Sequence, residues 1–144
     1  MVEVVFLEET RHFFDELDSQ FPGFTQQLVE AFRDYIESKR EIVPDIFGND
    51  CPYTHPHSAF RAELMHIHIA IPPSKFPEKR PQADRKCPTG QPDKDAALVY
   101  VQGELEIDRY CLVAFLYPSA HALAGDDKTI AYLARLAQDF RDTN

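Results

Sequence analysis

From Met65 to Ile71 the chain reads Met-His-Ile-His-Ile-Ala-Ile, and this alternation limits the fold more than any other stretch. Side chains of a strand point to opposite faces in turn, so Met65, Ile67, Ile69 and Ile71 share one surface while His66 and His68 share the other. An apolar row of this kind must back onto a core, which leaves two imidazoles standing on the far side. The strand is predicted over residues 63–71, where Pro72 and Pro73 end it.

The rest of the chain supplies partners for such a strand. Residues 2–7 are short, β-branched and apolar, and predict a largely buried N-terminal strand. Residues 97–102 and 110–117 predict two more, joined through 103–109, the second apolar on both faces and therefore central. Thr10 is the candidate cap of a short helix carrying Phe13, Phe14 and Leu17, broken at Phe21-Pro22-Gly23. Phe24, Leu28, Phe32, Tyr35 and Ile36 recur at helical spacing and predict a second helix to about Arg40. Near the end, Asp126 and Asp127 stand where carboxylates favour a helix start, ahead of an inner stripe of Ile130, Leu133, Ala137 and Phe140.

Two stretches read as loops. Residues 44–58 are rich in turn formers, with Phe47 as the anchor, Gly48 at a positive φ and Asp50 bonding local amides. Residues 74–94 are proline-punctuated without an apolar period, and predict a basic loop or arm. The resulting order of elements is an α+β fold, a helical pair on one face of a mainly antiparallel sheet. At 144 residues the chain is expected to form a single domain over 1–144. If Met65, Ile67 and Ile69 face the helices with Val99 and Val101, then His66, His68, Tyr100 and Gln102 line the opposite, partly open face.

Charge narrows the function classes. The net charge is −9, but residues 1–50 hold twelve acids against four bases, whereas residues 51–96 hold five against seven. Cations are concentrated in the segment with Lys75, Lys79, Arg80, Arg85, Lys86 and Lys94, so a polyanion has one place to bind. Three scattered cysteines do not form a secreted disulfide framework. With no basic leader and no long apolar run, the expected location is cytoplasmic, away from any membrane.

Three blocks carry a resemblance: residues 44–53 (Pro-Asp-Ile-Phe-Gly-Asn-Asp-Cys-Pro-Tyr), His66-Ile67-His68, and Leu98-Val99-Tyr100-Val101-Gln102-Gly103. In this order they resemble the YafO family of toxins from bacterial toxin–antitoxin pairs. Tyr35, Ser38-Lys39-Arg40, Pro118, His121 and Phe140-Arg141 extend the likeness. The family places a histidine just before Leu-Val-Tyr, and this chain has Ala97 there. The resemblance implies a RelE/ParE-like fold, ribosome-dependent mRNA cleavage that inhibits translation, and restraint by a cognate antitoxin. The implied partners are therefore mRNA on the ribosome and that antitoxin, with no cofactor.

Cleaving RNA without a metal requires a base for the 2′-hydroxyl proton, an acid for the leaving oxygen and cations for the charged transition state. Imidazoles suit both proton roles. The candidate catalytic residues are His66, His68 and His121. Lys79, Arg80, Arg85, Lys86 and Arg141 are candidates for holding phosphates, with Tyr100 and Gln102 for positioning a base. Two other readings compete: a non-catalytic, ParE-like toxin that grips a protein, and a small metal-binding protein using Cys51, His55, His57, His66 and His68. The spacing of that last set matches no closed zinc pattern, so no metal is expected.

Overall fold

The computed structural model describes residues 1–144. Its strands are β1 (Glu3–Phe6), β2 (Phe47–Pro52), β3 (Met65–Ile69), β4 (Ala97–Gln102) and β5 (Arg109–Leu116). The helices are α1 (Arg11–Gln20), α2 (Phe24–Glu37), α3 (His57–Arg61), α4 (Ala120–Ala124) and α5 (Asp127–Thr143). The strands form one sheet in the order β1-β5-β4-β3-β2. All neighbours are antiparallel except β1, which lies parallel to β5. The fold is α+β, as the order of elements predicts.

Each face of the sheet has its own core. On one, Phe14 and Leu17 of α1 and Phe24, Leu28, Phe32, Tyr35 and Ile36 of α2 bury Ile67, Ile69, Leu98, Tyr100, Leu112 and Phe115. On the other, Ile130, Leu133, Ala137 and Phe140 of α5, with Ala59 of α3, cover Val99, Val101, Cys111, Val113 and Leu116. A bulge explains how β5 serves both: Val99 pairs with Ala114 but Tyr100 with Leu112, so Val113 is the extra residue and points the same way as Ala114. Helix α5 begins as its acids suggest, Asp126 accepting from the Lys128 N–H and the Thr129 hydroxyl.

Several expectations need correction. Tyr100 and Gln102 do not share a face with His66 and His68. Met65 pairs with Tyr100, and His66 with Val99, so odd positions of β3 face the same way as even positions of β4. Strand β4 is apolar on both sides, so its own pattern could not settle that parity. Neither face is open, because α5 covers the one that carries the histidines. Residues 44–58 are more than a loop: Phe47–Pro52 is the edge strand and His57–Arg61 a helical turn. Gly48 is not at positive φ; a Cβ there would lie 2.3 Å from the Arg85 carbonyl oxygen and 2.9 Å from the Phe76 ring. Asp50 binds side chains and not local amides. Thr10 precedes α1 but its hydroxyl is buried without a partner.

The basic segment, residues 74–94, is a loop with two short helical turns, tied to the sheet. The Asn49 N–H donates to the Arg85 carbonyl at 2.8 Å, and the buried Arg85 guanidinium donates to the carbonyls of Pro44, Phe47, Glu78 and Arg80. Arg85 therefore laces the segment to β2, and Cys87 carries it on to β3.

Candidate active site

The short pleat of β3 directs His66 and His68 toward the α5 side, and the turn into α4 brings His121 to meet them. The ring centroids of His66 and His68 are 5.9 Å apart and those of His68 and His121 are 5.5 Å apart. All three imidazoles expected from the sequence thus line one cavity of about 30 Å³, together with Tyr53, Asp95 and Ala97. Ala97 pairs with His68 across the strands, so the position where the family resemblance expects a fourth histidine is on the cavity wall.

The partners of each ring define its chemistry. Asp95 is buried at the entry to β4; its carboxylate accepts from the backbone N–H of His121 at 2.9 Å and lies 2.8 Å from His121 Nδ1. That pairing puts a proton on Nδ1 and leaves Nε2 of the exposed His121 ring free. His68 is the reverse. The backbone N–H of Cys87 donates to His68 Nδ1 at 2.9 Å, so a neutral His68 carries its proton on Nε2. His66 is clamped by Tyr53, whose ring stacks on it at 3.9 Å with an interplanar angle of 5°. Its Nε2 lies 3.6 Å from Cys51 Sγ, and its Nδ1 is buried without a partner.

Burial dominates the protonation of this cluster. It pushes His66 down to about 4, with the neighbouring charges of His68 and His121 acting the same way. His68 is lowered too, by burial and then by His121, with Lys86 adding to it. Burial, followed by Asp50, raises the Cys51 thiol, which keeps it protonated. Lys86 is exposed, and its charge acts on both His68 and Cys51.

The other expected site residues separate. Lys79 and Arg80 are exposed on the same segment as Lys86. Arg85, expected to hold phosphate, is buried with its donors committed to carbonyls. Tyr100 is buried on the α2 side and donates to Asp50 at 2.8 Å, while Gln102 donates to the Ile107 carbonyl. Arg141 pairs with Glu63 and Glu104. His55 and His57 are exposed, and no three His, Cys, Asp or Glu side chains are placed to hold a metal ion. Sequence reasoning missed Asp95, Tyr53 as a stacking partner, and the Cys87 amide. Asp95 alone left a signal, an acid directly before an apolar strand.

No helix is long and apolar enough to cross a membrane. A family model described as toxin YafO of type II toxin–antitoxin systems matches residues 33–142. The mRNA interferase toxin YafO of Escherichia coli (strain K12) is 34% identical over 121 residues, covering 81% of this chain and 86% of that protein. No solved structure matches significantly. The matched span runs from the last turns of α2 into the end of α5 and takes in every residue of the histidine cluster, and the chain belongs to the YafO family of type II toxins.

Proposed function

We propose that this chain is an mRNA endoribonuclease that arrests translation by cutting messages on the ribosome, and that the His66, His68 and His121 cluster is its active site. The supporting observation is the His121–Asp95 pair, set 5.5 Å from a second imidazole of opposite tautomer. His121 Nε2 takes the proton from the 2′-hydroxyl as the 2′-oxygen bonds to phosphorus. The bond from phosphorus to the 5′-oxygen breaks, and that oxygen leaves with a proton from water at the open rim. The products are a 2′,3′-cyclic phosphate and a 5′-hydroxyl, and the His121 proton returns to solvent. The Nε2–H of His68 and the ammonium of Lys86 face the phosphate oxygens as charge builds on them. Half-buried and stacked, His66 is a positioning residue that holds Tyr53 and the cavity wall in place.

A site with so few free cations on a chain of net charge −9 binds free RNA weakly. Presentation by the ribosome replaces that missing affinity with a high local concentration of message. As a type II toxin the chain has a cognate antitoxin. The test is mapping of mRNA 5′ ends after induced expression, comparing wild type with His121→Ala and with the His66→Ala, His68→Ala double variant. New ends fall about 10²- to 10⁴-fold with His121→Ala, the usual worth of a positioned base. Growth arrest by wild type with no new ends would sink the nuclease reading and favour a toxin that grips a protein.

A further inference from the structure

The histidine cavity accounts for one side of β3. The neighbouring residue Met65 points the other way, into a separate groove of about 520 Å³ at the ends of β3 and β4. Arg40, Tyr100 and Gln102 line it together with Phe60 and Arg61 of α3. Nothing in the proposed reaction uses this groove.

Its construction is specific. Arg40 lies in a left-handed backbone conformation, as does Lys39 before it, with φ of 64° and 58°. Such a pair of non-glycine residues is uncommon and persists where the surroundings hold it, often at functional sites. Here the hold is visible: Arg40 Nε lies 3.4 Å from the buried Asp50 carboxylate, and its Nη2 donates to the Tyr100 hydroxyl at 3.2 Å. The guanidinium is thus fixed in direction, on a side chain that is 41% exposed. On α3, Arg61 is exposed and makes no ion pair, while Phe60 is 53% exposed. The one acid on the rim, Glu63, is already paired with Arg141.

Two cations, one preset in direction, beside an open aromatic ring are what a single-stranded nucleic acid requires: charge for its phosphates and a face on which a base stacks. Arg40 shares its charge with Asp50, so Arg61 is the unpaired cation of the groove. We infer that the groove takes a nucleotide of single-stranded RNA that flanks the one being cut, its base on Phe60 and its phosphate between Arg40 and Arg61. Its placement fits a shared strand of RNA. Pro52 and Met65 border the groove, while the next residues, Tyr53 and His66, stack together in the histidine cavity. The inference rests on the nuclease reading, and its test is separable from it.

The test uses the full chain carrying His121→Ala, so that RNA stays intact, and a short fluorescent single-stranded oligoribonucleotide titrated at several salt concentrations. Phe60→Ala weakens binding about 10-fold, in keeping with loss of one base stack. Arg61→Glu weakens it at least as much and flattens the salt dependence. Both side chains are exposed, and circular dichroism checks that the fold is kept. With His121 restored, both variants reduce mRNA cleavage in cells, and photo-crosslinks from position 60 in the ribosome complex fall on mRNA. Unchanged binding in both variants overturns the groove, whether or not wild type cuts mRNA. Crosslinks to ribosomal RNA alone, or lost antitoxin capture with RNA binding intact, overturn it as well.

Discussion

The two faces of the sheet bury polar groups in opposite ways. On the α2 side, the Asp50 carboxylate accepts from the hydroxyls of Tyr35 at 2.7 Å and Tyr100 at 2.8 Å and pairs with Arg40, while Gln82 donates to Tyr35. Every acceptor there has a donor. On the α5 side, His66 Nδ1 and the Tyr53 hydroxyl are buried with no partner. A satisfied network is rigid and stabilising, whereas an unsatisfied one costs free energy that packing elsewhere must offset. The first pattern is a brace, and the second leaves polar groups without partners at the proposed active site, in line with the tendency of strain to collect where chemistry occurs.

The brace breaks most severely at its centre. Asp50→Ala removes a carboxylate that is only 6% exposed and leaves two tyrosine hydroxyls and Arg40 without their acceptor. The expected loss is about 3–5 kcal/mol of folding free energy, typical of breaking a buried charged cluster. Urea denaturation measures it, and a loss below 1 kcal/mol would show that Asp50 organises nothing.

The histidine side responds to acid. His66 has a folded-state value near 4 against about 6.5 when unfolded. Between those values the unfolded chain binds the extra proton, so stability is complete above pH 6.5 and is lost as pH falls toward 4. The expected loss is on the order of 2–3 kcal/mol, and His68, also lowered, adds in the same direction. His66→Phe keeps a ring against Tyr53 and removes one of the two titrations. Denaturation midpoints measured from pH 7 to 4 should therefore fall less steeply in the variant; equal slopes would mean that His66 does not titrate in this window.

How much of this contrast could be read from the chain follows the range of each interaction. Local patterns were enough for β4, for α2 with its stripe from Phe24 to Ile36, and for α5 with its Asp126 cap. The three histidines were also legible as candidates, because alternation alone puts His66 beside His68. Cross-strand parity was not. The pairing of Met65 with Tyr100 depends on register between strands 35 residues apart in sequence, and it moved Tyr100 from the candidate site to the brace. Arg85 misled for a similar reason: a cation in a basic run looks solvated until four carbonyls close around it. The Cys87 amide becomes visible only when the long segment after Pro73 is folded back on β3, and only then does Asp95, an acid before an apolar strand, meet His121.

The gentlest test of the contrast is the same substitution on each face. Burial raises the pKa of both Tyr100 and Tyr53, so both remain protonated donors. Tyr100 donates to a carboxylate, and hydrogen bonds to charged groups are worth about 1.5–3 kcal/mol. Tyr100→Phe should lose about that much, since Tyr35 and Arg40 still satisfy part of Asp50. The Tyr53 hydroxyl has no partner to lose, so Tyr53→Phe should stay within about 0.5 kcal/mol of wild type or gain slightly, with its stack on His66 intact. Paired denaturation curves decide the matter. A Tyr53→Phe loss as large as that of Tyr100→Phe would mean that the hydroxyl is satisfied in solution, and the histidine cavity would then be a second brace.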